Sequence, residues 1–123
     1  IDVSLLTDQH LMAEYRELPM VPSSLFRSLN SKNGLNVNTI PKNYTLNTGH
    51  VKFFYDKGEF LRKRYNQLID ELRRREYDID PSKRIVKWHA FDMHPGLKRD
   101  WTPTYNDHMI NFDRIKQRIK PSN

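Results

Sequence analysis

Between Thr48 and Arg75 the chain carries its longest periodic pattern. Val51, Phe54, Tyr55, Phe60, Leu61, Leu68, Ile69 and Leu72 recur at helical spacing, which puts an apolar face on several consecutive turns. Such a face is stable only when it is covered by other elements, so the pattern dictates a helical domain built around it. Gly58 interrupts the run. Glycine costs a helix interior about 1 kcal/mol relative to alanine, so the spacing predicts a kink or a break there.

The rest of the chain supplies partners for that segment. Residues 1–6 read as an extended lead-in. Thr7 or Asp8 can cap a helix that runs to about Leu18, where Pro19 stops it. Leu11, Tyr15 and Leu18 fall at i, i+4, i+7 and mark its buried stripe. Pro22-Ser23-Ser24 permits a second start, with Leu25, Phe26 and Leu29 as a brief apolar face. Residues 30–48 are rich in Asn, Ser, Gly and Thr and read as a loop pinned by Ile40-Pro41 and Tyr44. Residues 78–103 carry Pro81, Pro95, Gly96 and Pro103 and look irregular, with Trp88 and Trp101 nailing them to the core. A last helix fits about Tyr105 to Ile119, with Met109, Phe112, Ile115 and Ile119 inward. The expected fold class is all-α: a single compact domain over residues 1–123, with three main helices and long irregular connections.

Charge and composition narrow the partners. The chain holds 21 Lys and Arg against 15 Asp and Glu, a formal net charge of +6, which favours polyanions. It has no cysteine, which excludes disulfides, thiolate zinc sites and a cysteine nucleophile. No apolar run approaches the ~18 residues of a membrane span, and no signal-peptide pattern is present. The expectation is a cytoplasmic protein without a membrane partner. Arg62-Lys63-Arg64 and Arg73-Arg74-Arg75 share the long helix. Each run alone reads equally well as a solvated face. Taken with Arg114, Lys116, Arg118 and Lys120 on the last helix, they suggest a surface that tracks a duplex backbone.

Two patterns near the N-terminus bear on chemistry. His10 and Glu14 stand at i, i+4, a metal-ligand spacing, but no HExxH accompanies them and a helix-surface pair is the better reading. No metal or cofactor is expected. His50, before an apolar helix start, reads as a capping or packing residue. Glu17 follows Arg16 directly. Its bland reading is a surface acid paired with Arg16; its functional one needs a nucleophile. With no GxSxG motif, P-loop or cysteine, lysines and the N-terminal amine remain. An α-amine has an unperturbed pKa of about 7.7–8.0, so part of it is neutral near pH 7. A neutral amine can attack the anomeric carbon of a deoxyribose and form an imine. A carboxylate beside it can stabilise the cationic sugar and shuttle protons.

Two blocks make this more specific. Asp8-Gln9-His10-Leu11-Met12-Ala13-Glu14-Tyr15-Arg16-Glu17-Leu18-Pro19 and Gly49-His50-Val51-Lys52-Phe53-Phe54-Tyr55-Asp56-Lys57, continuing to Phe60-Leu61-Arg62-Lys63-Arg64, closely resemble the pyrimidine-dimer DNA glycosylases of phages. A looser likeness runs through Leu68-Ile69 and through Asp100-Trp101-Thr102-Pro103 into the last helix, with residues 80–98 divergent. The resemblance implies an all-α monomer that acts on double-stranded DNA with ultraviolet lesions or abasic sites. Such an enzyme cleaves the glycosidic bond of a dimer's 5′ pyrimidine and then breaks the strand by β-elimination through the same imine. It also implies roles: Glu17 as the essential acid, the N-terminal amine as nucleophile, and Gln9, His10, Arg16, Arg114 and Arg118 as DNA contacts. The nucleophile is then the amine of Ile1 or of a residue ahead of it. If the chain is phage-encoded, its compartment is the host cytoplasm.

The chain departs from the family pattern at three places. It begins Ile1-Asp2 against the family's usual Thr-Arg-Ile-Asn, which reads either as a late start or as Ile1-Asp2 on the Ile-Asn pair; Met20 stands where the family commonly has an arginine after the Leu-Pro pair; and the family's aromatic-rich tail is expected to be missing after Lys120-Pro121-Ser122-Asn123. These departures favour two alternatives: a DNA-binding protein on the same fold without catalysis, or a glycosylase for another lesion or modified base.

Overall fold

The computed structural model describes residues 1–44 and 50–103. It is all-α, as the periodicity predicts, with no strand among the described residues. Helix α1 spans Asp8–Glu17, α2 Met20–Leu29, α3 His50–Phe53 and α4 Gly58–Arg74. Short 3-10 turns lie at Val3–Leu5, Val37–Thr39, Phe54–Asp56, Pro81–Lys83 and Trp88–Asp92. The helix expected over 105–119 lies outside the described residues.

Each boundary has a local cause. Thr7 caps α1, its hydroxyl accepting the His10 amide at 3.2 Å. Helix α2 begins at Met20, ahead of the start expected at Pro22. Pro22 fits inside the first turn because an amide there has no intrahelical partner to lose. The N-terminal lead-in is not fully extended: Asp2 accepts the Ser4 amide at 2.8 Å and nucleates the Val3–Leu5 turn.

The long periodic segment breaks at Gly58. The chain leaves the Phe54–Asp56 turn, passes Lys57 at φ −126 and restarts as α4. The new N-terminus finds acceptors in the 97–99 strip: Gly58 donates to the Leu97 carbonyl at 2.9 Å and Glu59 to that of Arg99 at 3.2 Å. Phe91 lies against the same spot. A Cβ at position 58 would stand 2.6 Å from its Cγ, so glycine is the residue that lets the buried ring approach the backbone.

Helix α1 packs along α4. Leu11 and Tyr15 are buried on one side, Leu61, Tyr65, Leu68 and Leu72 on the other, and Tyr15 stacks on Tyr65 with ring centroids 5.5 Å apart. Helix α2 rests on the Trp88–Asp92 turn, which buries Ala90 and Phe91. Both tryptophans anchor the irregular stretch as expected. Trp88 meets Tyr65 at 5.8 Å. Trp101 meets Phe60 at 4.9 Å and Phe53 at 5.2 Å. Ile40 is buried and Tyr44 packs 5.6 Å from Phe53, which pins the 30–44 loop.

The flank of α4 carries a second device. Arg64 bonds both oxygens of Glu14 at 2.6 and 3.0 Å and also donates to the Ile1 carbonyl. Three turns on, Arg75 donates to Glu71 at 2.7 Å, to Asp8 at 2.9 Å, and to the Val3 and Ser4 carbonyls at 3.3 Å each. The two guanidiniums thus tie the N-terminal segment and α1 to α4. Glu71 is buried and also accepts from Arg74. Those hydrogen bonds hold its carboxyl at about 2, below its ordinary 4.5. A depressed carboxyl stabilises the fold fully above its unfolded pKa and loses that contribution as pH falls toward the folded one. The wild-type unfolding midpoint should therefore drop between pH 4.5 and about 2. Glu71→Gln should flatten that drop in urea titrations at matched pH; an equally steep loss in the variant would show that Glu71 is not its source.

Candidate active site

Helix α1 carries four of the expected site residues at its two ends. Gln9 is exposed and His10 half-buried in the first turn. The His10 ring shares a 2.6 Å hydrogen bond with the Thr7 hydroxyl. Arg16 and Glu17 are both exposed in the last turn. With a rise of about 1.5 Å per residue, the two pairs stand roughly 9–12 Å apart along one helix. Arg114 and Arg118 lie outside the described residues.

Neither member of the His10–Glu14 pair is free for a metal. His10 is engaged with Thr7 and Glu14 with Arg64. Among the described residues no group of three His, Cys, Asp or Glu side chains could hold an ion.

The C-terminal end of α1 opens onto a groove of about 320 Å³ lined by Arg16, Pro19, Met20, Ser23, Arg27 and Arg84. Three arginines face it and no carboxylate lines it. Arg84 is fixed there from below. Its guanidinium donates to the Tyr15 and Arg16 carbonyls, 2.7 Å each, and lies 4.7 Å over the Tyr15 ring. It thereby satisfies carbonyls that the end of α1 leaves without helical partners. A larger cavity of about 550 Å³ shares Arg27 with this groove and is lined by residues including Ser24, Ser28, Lys52 and Tyr55. It contains none of the expected site residues, whereas the smaller, arginine-walled groove contains Arg16.

The amines differ in readiness. Where Ile1 is the first residue, its amine has its pKa lowered from 8.0, first by burial and then by the Arg64 charge, against smaller raising effects of Glu14 and Asp2. Lowering enlarges its neutral, nucleophilic fraction near pH 7. Lys63 moves the opposite way, held protonated by its 2.6 Å bond to Asp100. Lys57 is bound to Asp56 at 2.6 Å and lies over the Phe53 ring at 3.9 Å. The charges acting on the Ile1 amine are Arg64, Glu14 and Asp2; Glu17 is not one of them. Glu17 stands one helical turn beyond Glu14 and has no ion pair among the described residues.

Sequence reasoning missed Arg84, which sits in the divergent segment with no periodicity to flag it. Arg64 and Arg75 had a readable signal. Together with Glu71 they recur on the flank of the stripe set by Leu61, Leu68 and Leu72, a position for half-buried ionic clamps rather than for phosphate contacts.

Among the described residues no helix is long and apolar enough to cross a membrane. Residues 1–85 match the family model described as pyrimidine dimer DNA glycosylase. That match takes in α1, the arginine-walled groove through Arg84, and both α4 clamps. It covers more than half of the 123 residues, and the chain belongs to this family of DNA glycosylases.

Proposed function

We propose that the chain is a glycosylase with abasic-site lyase activity on ultraviolet-damaged duplex DNA, working through an amine-linked imine. The observation that carries this reading is a groove walled by Arg16, Arg27 and Arg84 at the end of α1, the helix whose last turn also carries the exposed carboxylate Glu17. Three guanidiniums without a carboxylate among them suit a phosphate backbone. The neutral amine of Ile1, or of a residue ahead of it, attacks the anomeric carbon. The base departs with the bonding electron pair and takes up a proton. Loss of a proton from nitrogen and opening of the sugar ring give the imine. Removal of a proton from the neighbouring sugar carbon then expels the 3′ phosphate, and water frees the amine. Glu17 stabilises the positive sugar and moves the protons. Gln9 and His10, at the far end of α1, contact the strand beyond the lesion; Arg114 and Arg118 complete the DNA contacts.

Borohydride trapping on ultraviolet-irradiated and abasic-site duplexes tests this reading. A covalent adduct is expected on both, mapping to the N-terminal peptide. Its yield should fall as pH drops and the amine protonates; where Ile1 supplies that amine the half-point lies below 8.0, the direction set by burial and Arg64. DNA binding with no adduct on either duplex would favour a binding protein on the glycosylase fold, the reading to which Met20 in the groove lends weight.

A further inference from the structure

Ile85 is the most exposed large apolar side chain among the described residues, at 90%. Single exposed apolar residues are ordinary on protein surfaces; the setting of this one is not. Arg84 has an extended backbone, φ −109 and ψ 125, and along extended chain successive side chains point to opposite sides. Arg84 turns back onto the end of α1. Val86 turns back onto the core. Ile85 between them stands outward. Its mounting is stiff: Arg84 is held by two 2.7 Å hydrogen bonds and a ring contact, and Lys87 lies 4.2 Å over the Phe26 ring. The neighbouring groove is lined by three arginines, with Met20 62% exposed on its wall. A stiff aliphatic tip beside a cationic trough matches the apolar wedges with which proteins part base steps while basic groups hold the backbone.

We propose that Ile85 is a wedge that enters the base stack of duplex DNA when the backbone lies in the groove of Arg16, Arg27 and Arg84. The occupant is double-stranded DNA because charge complementarity selects a polyanion and an isolated aliphatic tip needs a stack to bury itself in. The inference rests on the reading of the chain as an enzyme of duplex DNA. It gives the divergent segment a role in that reaction, since Ile85 opens the step beside the lesion and so exposes the glycosidic bond. No covalent step is involved.

The test uses a dimer-containing duplex with the fluorescent base analogue aminopurine next to the lesion, and compares wild type with Ile85→Ser, Ile85→Leu and Met93→Ser. Met93 is an exposed apolar control outside the groove, at 49%. Ile85→Ser should keep the wild-type melting temperature, bind about 10-fold more weakly and lose the fluorescence rise that reports unstacking. Its slope of log affinity against log salt should be unchanged, because the phosphate contacts remain. Ile85→Leu should keep the signal and Met93→Ser should match wild type. If wild type releases the base and Ile85→Ser still gives the full fluorescence rise, the wedge is wrong and the glycosylase reading stands. If wild type neither binds nor cuts this duplex, the glycosylase reading falls and the wedge falls with it.

Discussion

Glu17→Gln is expected to lower base release from dimer-containing duplex by roughly 10²–10⁴-fold, the range that general acid–base groups supply. The amide keeps the shape of the side chain and removes its charge and its ability to carry a proton. Glu17 is exposed and has no ion pair among the described residues, so stability should change by no more than about 0.5 kcal/mol. Binding to undamaged duplex should hold steady or tighten slightly, since a negative charge beside phosphates has been removed. The signature is thus a loss in kcat with Kd and Tm near wild type, read from single-turnover base release. Unchanged base release would remove Glu17 from the chemistry. Glu14, one turn earlier on α1, is the built-in comparison. Its carboxylate is committed to Arg64, so Glu14→Gln should register first as lost stability and as a displaced N-terminal segment.

What the sequence could reveal follows from how far each signal reaches. Leu11, Tyr15 and Leu18 mark α1 because a buried stripe has to repeat at helical spacing, and all three are buried. The break at Gly58 was legible as a weakness. Its cause was not, because Phe91 meets Gly58 from 33 positions away. The two basic runs on α4 show the same limit. Adjacent residues on a helix point 100° apart, so one run divides between different surroundings. Arg64 and Arg75 turn to the N-terminal segment. Lys63 pairs with Asp100, and Arg62 lies 5.9 Å from the Trp88 ring. As a shared phosphate surface these runs contribute less than their count suggests. The arginine-walled groove draws instead on Arg16, Arg27 and Arg84, no two of which are neighbours in sequence.

Arg84→Ala is the second change expected to have a large effect, and it acts through Glu17. Arg84 holds the carbonyls of Tyr15 and Arg16, the two residues that precede Glu17, and stacks on Tyr15. Without it those carbonyls lose charged donors and the last turn of α1 frays. The stability loss should be about 1–3 kcal/mol, the range for removing hydrogen bonds from a half-buried charged group. The kinetic loss should be larger, about 100-fold in base release, because a shift of about 1 Å in a catalytic group costs that much. Arg84→Lys should recover only part of either, since one ammonium nitrogen cannot stand where two guanidinium nitrogens each meet a carbonyl and has no plane to lay on the Tyr15 ring. A purely structural role would also lower Tm, so the deciding measurement is a double-mutant cycle with Glu17→Gln. If Arg84 works by positioning Glu17, its removal should cost little further base release once the carboxylate is gone. If Arg84→Ala still costs about 100-fold in single-turnover base release at saturating enzyme in the Glu17→Gln background, where its share of phosphate binding no longer counts, Arg84 acts on the reacting strand itself and the positioning role is wrong.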